Sequence, residues 1–432
     1  MDRTIRKAER LRGRIAVPGD KSISHRAGML AAIAEGTTRI SNFSASEDCS
    51  TTLNCLAAVG VEVVQYGSEV VINGRPDGFE SPLAEIDCGN SGTTIRLISG
   101  LLAGLGIEAT LTGDASLRSR PMGRVIKPLE TMGAGIGSSD GKAPLRLEGG
   151  RRLAGIEYEL PVASAQVKSC VLLAGLNAMG STSVIEPTPT RDHTERMLRG
   201  FGVEVNVAPF GRGRKITVRG GSRLRAADLI VPGDVSSAAF FLVAAAILPG
   251  SDLTITDVGL NPTRSAILDV LKAYGVGLEI TSEHISGGEP IGDIRVRSLV
   301  LPERPASYTI RGEMVANLID EVPALAVLGA CSEGGLEIRD AGELRVKESD
   351  RITSIVTNLR AMGAEVEEFE DGFRVEKSEL KGTRISSFGD HRISMAFAVA
   401  GLSAEGETVI ENAECAAVSF PAFFEVLGSL AE

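Results

Sequence analysis

At 432 residues the chain exceeds what one core usually supports, so two domains are expected. A formal charge of −11 argues against nucleic acid or an anionic membrane as partner, because phosphates need a broad basic face; small anionic substrates in a local basic site fit better. With no Trp, 4 Tyr and 13 Phe, the core must be built from Ala, Val, Ile and Leu. Cys49, Cys55, Cys88, Cys170, Cys331 and Cys415 show no CxxC or CxxH spacing, so buried thiols are expected, with neither a metal site nor a disulfide framework. The opening MDRTIRKAER lacks the apolar stretch of a secretory signal, and the longest apolar run, Ala238 to Leu248, is too short to span a bilayer. The expected compartment is the cytoplasm.

In chain order, six apolar, helix-like stretches each run into a glycine: Gly36, Gly106, Gly180, Gly250, Gly334 and Gly406. Their separations of 70, 74, 70, 84 and 72 residues describe a repeated supersecondary unit. Fourteen residues before each glycine stand Ser22, Gly92, Gln166, Ser236, Asp320 and Arg392, the expected helix starts. Polar groups at six helix N-termini outline an anion site. After each glycine comes a strand pattern such as TRISNFS or STSVIEP, then an amphipathic helix such as TTLNCLAAVG or ITSIVTNLRAMG ending in a capping glycine. Strands alternating with helices in compact units predict an α/β architecture.

VPGD occurs at Val17–Asp20 and again at Val231–Asp234, an offset of 214, which divides the repeats into two groups of three. One lobe is expected over 20–228, the other from 1–19 with 229–432, with a cleft between them. The echo also supplies an internal control: Val235 stands where the first copy has Lys21, and Phe240 where it has Arg26. The fold does not need these cations, so a ligand explains them better.

Further motifs carry chemistry. In GDKSISHR, Lys21, Ser22 and Arg26 lie at a helix start suited to a phosphate or carboxylate, while His25 reads as structural. DCGNSGTTIR (87–96) offers Gly92 in a polar helix entry, and LRSRPMG places Arg120 before a proline at an expected helix start. ASAQ supplies Ser164 and Gln166; TPTR supplies Arg191, and NPTR puts Arg264 at the same place in the next unit, so an arginine there is partly structural. IDEVP, KESDR and GDHR bring Asp320, Glu321, Lys347, Glu348, Arg351 and Arg392 to helix entries. Isolated salt bridges would explain any one pair. Acids beside several cations, recurring at equivalent helix starts, fit proton transfer better.

GDKSISHR, NSGTTIR, RPMG, SAQ, IDE, KESDR and GDHRISM, in this order along the whole chain, resemble the EPSP synthase (3-phosphoshikimate 1-carboxyvinyltransferase) family, in a divergent bacterial branch. The resemblance implies two lobes, each of three βαβαββ units about a pseudo-threefold axis, an inside-out α/β barrel. It implies transfer of the enolpyruvyl group of phosphoenolpyruvate to the 5-hydroxyl of shikimate 3-phosphate in aromatic amino acid biosynthesis, by a monomer without metal or cofactor. Lys21, Ser22, Arg26, Ser164, Gln166, Arg191, Asp320 and Lys347 would hold shikimate 3-phosphate. Lys21, Gly92, Arg120, Gln166, Arg351 and Arg392 would surround phosphoenolpyruvate. Catalysis would fall to Asp320, accepting the hydroxyl proton, to Glu348, exchanging protons with the methylene carbon, and to Lys21.

Two positions depart from the family pattern: Ala165 replaces a serine common between Ser164 and Gln166, and Val418 stands where many members carry a lysine. The rival readings are a UDP-N-acetylglucosamine enolpyruvyltransferase, which usually has a cysteine in the loop reading GDASLRSRP here, and a non-catalytic phosphosugar-binding repeat protein.

Overall fold

The computed structural model describes residues 1–298 and 307–432. These form two compact units: Gly19–Pro232 with Ile285–Glu289, and Met1–Pro18 with Gly233–His284 and Pro290–Glu432. Each has its own apolar core.

The third repeat shows the plan. Glu157–Glu159 runs parallel to Ser181–Glu186, which pairs antiparallel with Gly213–Arg219, itself flanked by Val205–Phe210. Helix Ala165–Gly175 joins the first two strands and helix His193–Gly200 leads to the last two, giving the order βαβαββ. The second repeat follows the same order from Ile86–Asp87 to Lys142–Leu147, with one added short helix, Ala115–Ser119, after its second strand. In the first repeat the opening strand comes from far along the chain: Leu229–Ile230 lies parallel to Thr37–Ser41, with Leu229 opposite Ile40. The unit therefore runs past the expected limit at residue 228, because the strand completing its first sheet lies beyond it. Likewise Arg12–Ala16, parallel to Asp252–Gly259, opens the fourth repeat. The sixth has three strands, Arg384–Ser386, Glu407–Glu411 and Arg3–Arg6.

All six repeat glycines adopt φ between +69° and +105°. A side chain would be strained at each, which explains why glycine punctuates the repeat. The helices before them are buried almost all round; in Val235–Ile247 every residue from Val235 to Ala245 is buried. Small and aliphatic residues let such helices pack closely from several sides, and truncating a leucine there should cost about 2–5 kcal/mol.

Five of these helices begin within one residue of the expected position: Lys21–Ala32, Gly92–Leu105, Ala165–Gly175, Val235–Ile247 and His391–Ser403. The fifth differs. Val322–Cys331 starts two residues after Asp320, because Pro323 suits only its first turn and a separate helix, Glu313–Leu318, precedes it. Asp320 and Glu321 thus occupy the turn between two helices. Arg120 also departs from expectation: it closes the short helix Ala115–Ser119, and the next helix opens at Gly123. Among the described residues all cysteines are free; Cys331 and Cys415 are half-buried, the other four buried.

Candidate active site

The helix starts carry caps. Asp20 accepts from Ile23 N at 2.9 Å, Ser91 from Thr94 N at 3.2 Å, and Ser164 from Val167 N at 3.3 Å. Asp234 and Asp390 accept from the amides of Ser236 and Arg392 at 3.1 and 2.9 Å. These oxygens meet part of each helix's orphan donors, so the anion-binding power here comes chiefly from side-chain cations. The cap uses only a lone pair of Ser164 Oγ, so it leaves the hydroxyl proton uncommitted.

In the unit containing Gly19–Pro232, two cationic groups form. The first surrounds Arg26, which is 5% exposed. Its Nε donates to Thr194 Oγ1 at 2.7 Å, Nη1 to the Ser22 carbonyl at 2.8 Å, and Nη2 to Ser169 Oγ at 2.7 Å. Two of its N–H groups remain beyond these bonds. Burial chiefly, and the charge of Arg191, pull Arg26 down to about 10, against Glu195, Asp20 and Glu289. It stays cationic at neutral pH. Arg191 is half-buried in the loop before helix His193–Gly200. Beneath lies a buried ion cluster, with Lys168 Nζ 3.0 Å from Glu186 and 2.7 Å from Glu195. Lys21, at the first helical position, approaches Asp48 at 3.9 Å. His25 is buried, with Nδ1 2.6 Å from Thr52 Oγ1. Burial first, then Arg26 and Lys21, push it down to about 3, so it is neutral and structural.

The second group surrounds Gly92. Arg96 Nη1 donates to Gln166 Oε1 at 2.7 Å, and Gln166 Nε2 to Thr93 Oγ1 at 2.9 Å, which fixes the Gln166 amide. Arg120 bonds the carbonyl of Asn90 at 3.2 Å, its side-chain oxygen, and Ser116 Oγ at 3.2 Å. Burial, then Arg120 and Arg124, lower the affinity of Arg96 for its proton. A Cβ on Gly92 would lie 2.9 Å from Arg96 Nη1 and 3.2 Å from Arg120 Nη1. Glycine is therefore what lets both guanidinia crowd one helix start.

In the unit containing Pro290–Glu432, Arg351 is the hub, with its side chain 1% exposed. Nε donates to Asp390 Oδ2 at 2.8 Å, Nη2 to Glu348 Oε2 at 2.6 Å, and Nη1 lies 3.7 Å from Asp320 Oδ1. Buried Nη1 has no hydrogen-bond partner among the described residues, which suits an anionic ligand. Arg392 Nη1 donates to the Asp320 carbonyl at 2.9 Å. Burial opposes its charge, but Asp320, Glu321 and Asp234 outweigh this and raise its proton affinity. Glu321 is buried, and its proton affinity is raised by burial against the pull of Arg264. Lys347 Nζ donates to Glu343 at 2.6 Å. Val418 ends a short 3-10 segment at 57% exposure, an apolar side chain where a cation was expected.

A family model for EPSP synthase (3-phosphoshikimate 1-carboxyvinyltransferase) matches residues 5–427. The chain belongs to the EPSP synthase family. A 3-phosphoshikimate 1-carboxyvinyltransferase of Solibacter usitatus is 50% identical over 435 residues, with 100% of both chains covered. One from Koribacter versatilis is 50% identical over 433 residues, covering 99% of each. A solved EPSP synthase from Acinetobacter baumannii superposes with a TM-score of 0.90 at 44% identity, over 100% of this chain and 98% of that one. Membership of the EPSP synthase family favours the main reading over the two rivals.

Sequence reasoning passed over Arg96, Arg124, Asp234 and Asp390. A signal for the two aspartates was present: Gly-Asp precedes a helix at Gly19-Asp20, Gly233-Asp234 and Gly389-Asp390. The three recurrences at equivalent helix starts mark N-caps.

Proposed function

We propose that the chain transfers the enolpyruvyl group of phosphoenolpyruvate to the 5-hydroxyl of shikimate 3-phosphate, with Asp320 taking the hydroxyl proton. The observation carrying this assignment is the setting of Asp320, whose two oxygens lie 3.7 Å from Arg351 and 3.9 Å from Arg264. A carboxylate held between two guanidinia has a fixed place and an ionised form from which to accept a proton. The 5-oxygen attacks the substituted carbon of the enol, Glu348 delivers a proton to the methylene carbon, and a tetrahedral ketal forms that keeps the phosphate. Glu348 then recovers a proton from the new methyl group as the C–O bond to phosphate breaks, regenerating the enol.

Lys21, Ser22, Arg26, Ser164, Gln166, Arg191, Asp320 and Lys347 are assigned to shikimate 3-phosphate, and Lys21, Gly92, Arg120, Gln166, Arg351 and Arg392 to phosphoenolpyruvate. Guanidinium forks suit the carboxylate and phosphate of these ligands, and preorganised cations stabilise charge that builds up on the departing phosphate. The test is Asp320→Ala in an assay of phosphate release that requires both substrates. The variant should lose nearly all turnover; full activity would mean that another group accepts the proton.

A further inference from the structure

The NPTR motif carries an arginine to which the reaction described above gives no role. Arg264 is 5% exposed. Its Nη2 donates to Ser236 Oγ at 2.8 Å and to Asp234 Oδ1 at 3.2 Å, while Nη1 lies 3.9 Å from Asp320 Oδ2. Ser236 in turn donates to Glu321, the neighbour of Asp320. One guanidinium thus ties the start of helix Val235–Ile247 to the turn carrying Asp320 and Glu321. The segment holding it is itself braced: Asn261 Oδ1 accepts from Thr263 N at 2.9 Å and Thr263 Oγ1 at 2.8 Å, and Arg264 N donates to Asn261 O at 2.8 Å. The opposite motif, TPTR, leaves Arg191 half-buried in a loop. Two copies of one motif therefore have different settings, and the buried copy faces an acid.

We propose that Arg264 is a positioning residue for Asp320, fixing the place of its carboxylate beside Arg351 through a rigid fork shared with Asp234 and Ser236. The inference rests on Asp320 as the proton acceptor. Charged groups facing Asp320 among the described residues include Arg264 from the 261–265 segment, Arg351 from helix Arg351–Ala361, Arg392 from helix His391–Ser403 and Glu321 beside it in the turn. Asp390 and Glu348 bond Arg351, which lies 3.7 Å from Asp320.

The experiment compares Arg264→Met and Arg264→Lys with the unmodified enzyme in kcat, both KM values, the pH profile of kcat and thermal unfolding. Arg264→Met should lower kcat about 10²-fold, the effect of slight misplacement, with little change in KM for phosphoenolpyruvate. The acid limb of its kcat profile should move to higher pH, because an ionised acceptor loses a neighbouring cation. Arg264→Lys keeps the charge but not the fork, so its acid limb should stay in place while kcat remains depressed. Folded Arg264→Met with normal kcat, or with depressed kcat and an unmoved acid limb, would overturn the proposal in favour of a purely structural role. If that variant does not fold, Arg264→Lys decides: normal kcat contradicts the role of the fork. Asp320→Asn separates the two levels. An active Asp320→Asn removes the acceptor assignment and this inference together, whereas an inactive Asp320→Asn beside a normal Arg264→Met removes only the inference.

Discussion

Arg351 Nε donates to Asp390 Oδ2 at 2.8 Å, and both side chains are at most 1% exposed. The other oxygen of Asp390 accepts from the Arg392 amide at 2.9 Å, so one buried carboxylate orders two of the three arginines assigned to phosphoenolpyruvate. Asp390→Ala would take from Arg351 its fully buried partner, leaving the more exposed Glu348 and Asp320, with an expected loss of up to about 3–5 kcal/mol in stability and a raised KM for phosphoenolpyruvate. Despite burial, the hydrogen bond and charge of Arg351 hold the Asp390 carboxyl below its usual range. The folded value is depressed, so this contribution is present above the unfolded carboxyl range, near pH 4, and is lost as pH falls through the folded value. Urea unfolding across that acid range should therefore show a shallower pH dependence in Asp390→Asn.

Gly92→Ala tests the crowding at the second helix start. The added Cβ meets the tips of two flexible side chains, Arg96 and Arg120, at 2.9 and 3.2 Å. Those tips can yield, so the melting temperature should change little while KM for phosphoenolpyruvate rises. A variant with normal KM would mean that the two guanidinia are not held at the substrate by Gly92.

Arg120→Ala removes a charge-assisted donor held in place by Asn90 and Ser116. The expected loss is about 1.5–3 kcal/mol in phosphoenolpyruvate binding, a tenfold to hundredfold rise in KM. Steady-state kinetics at saturating shikimate 3-phosphate measures it, and an unchanged KM places Arg120 outside the site.

His25 gives a second acid signature. Its folded value near 3 lies below the ordinary 6.5, so the unfolded chain binds the extra proton between these limits. The stability contributed by the neutral ring is complete above about pH 6.5 and declines as pH falls toward 3. His25→Asn should lack that component of the slope between pH 4 and 6 in chemical denaturation. An identical slope in both proteins would assign the acid sensitivity elsewhere.

Local signals were legible in the sequence and tertiary partnerships were not. The repeat glycines, the helix starts and the strands after them follow from spacing and backbone chemistry, which act within one unit. The strand Leu229–Ile230 was beyond such reading, since its partner Thr37–Ser41 lies almost two hundred residues away and both stretches are short. The site divides the same way. Lys21 and Arg26 stood out because Val235 and Phe240 hold their places in the other copy. Arg96 was overlooked because its meaning lies in reaching Gln166, 70 residues on, and the pairing of Arg351 with Asp320 and Asp390 joins segments that sequence spacing does not connect.

The most direct test of the whole account is phosphate release by the purified protein from phosphoenolpyruvate, with and without shikimate 3-phosphate. Release that depends on shikimate 3-phosphate and disappears in Asp320→Ala is the predicted result. Release with UDP-N-acetylglucosamine alone, or none with either acceptor, would contradict the account.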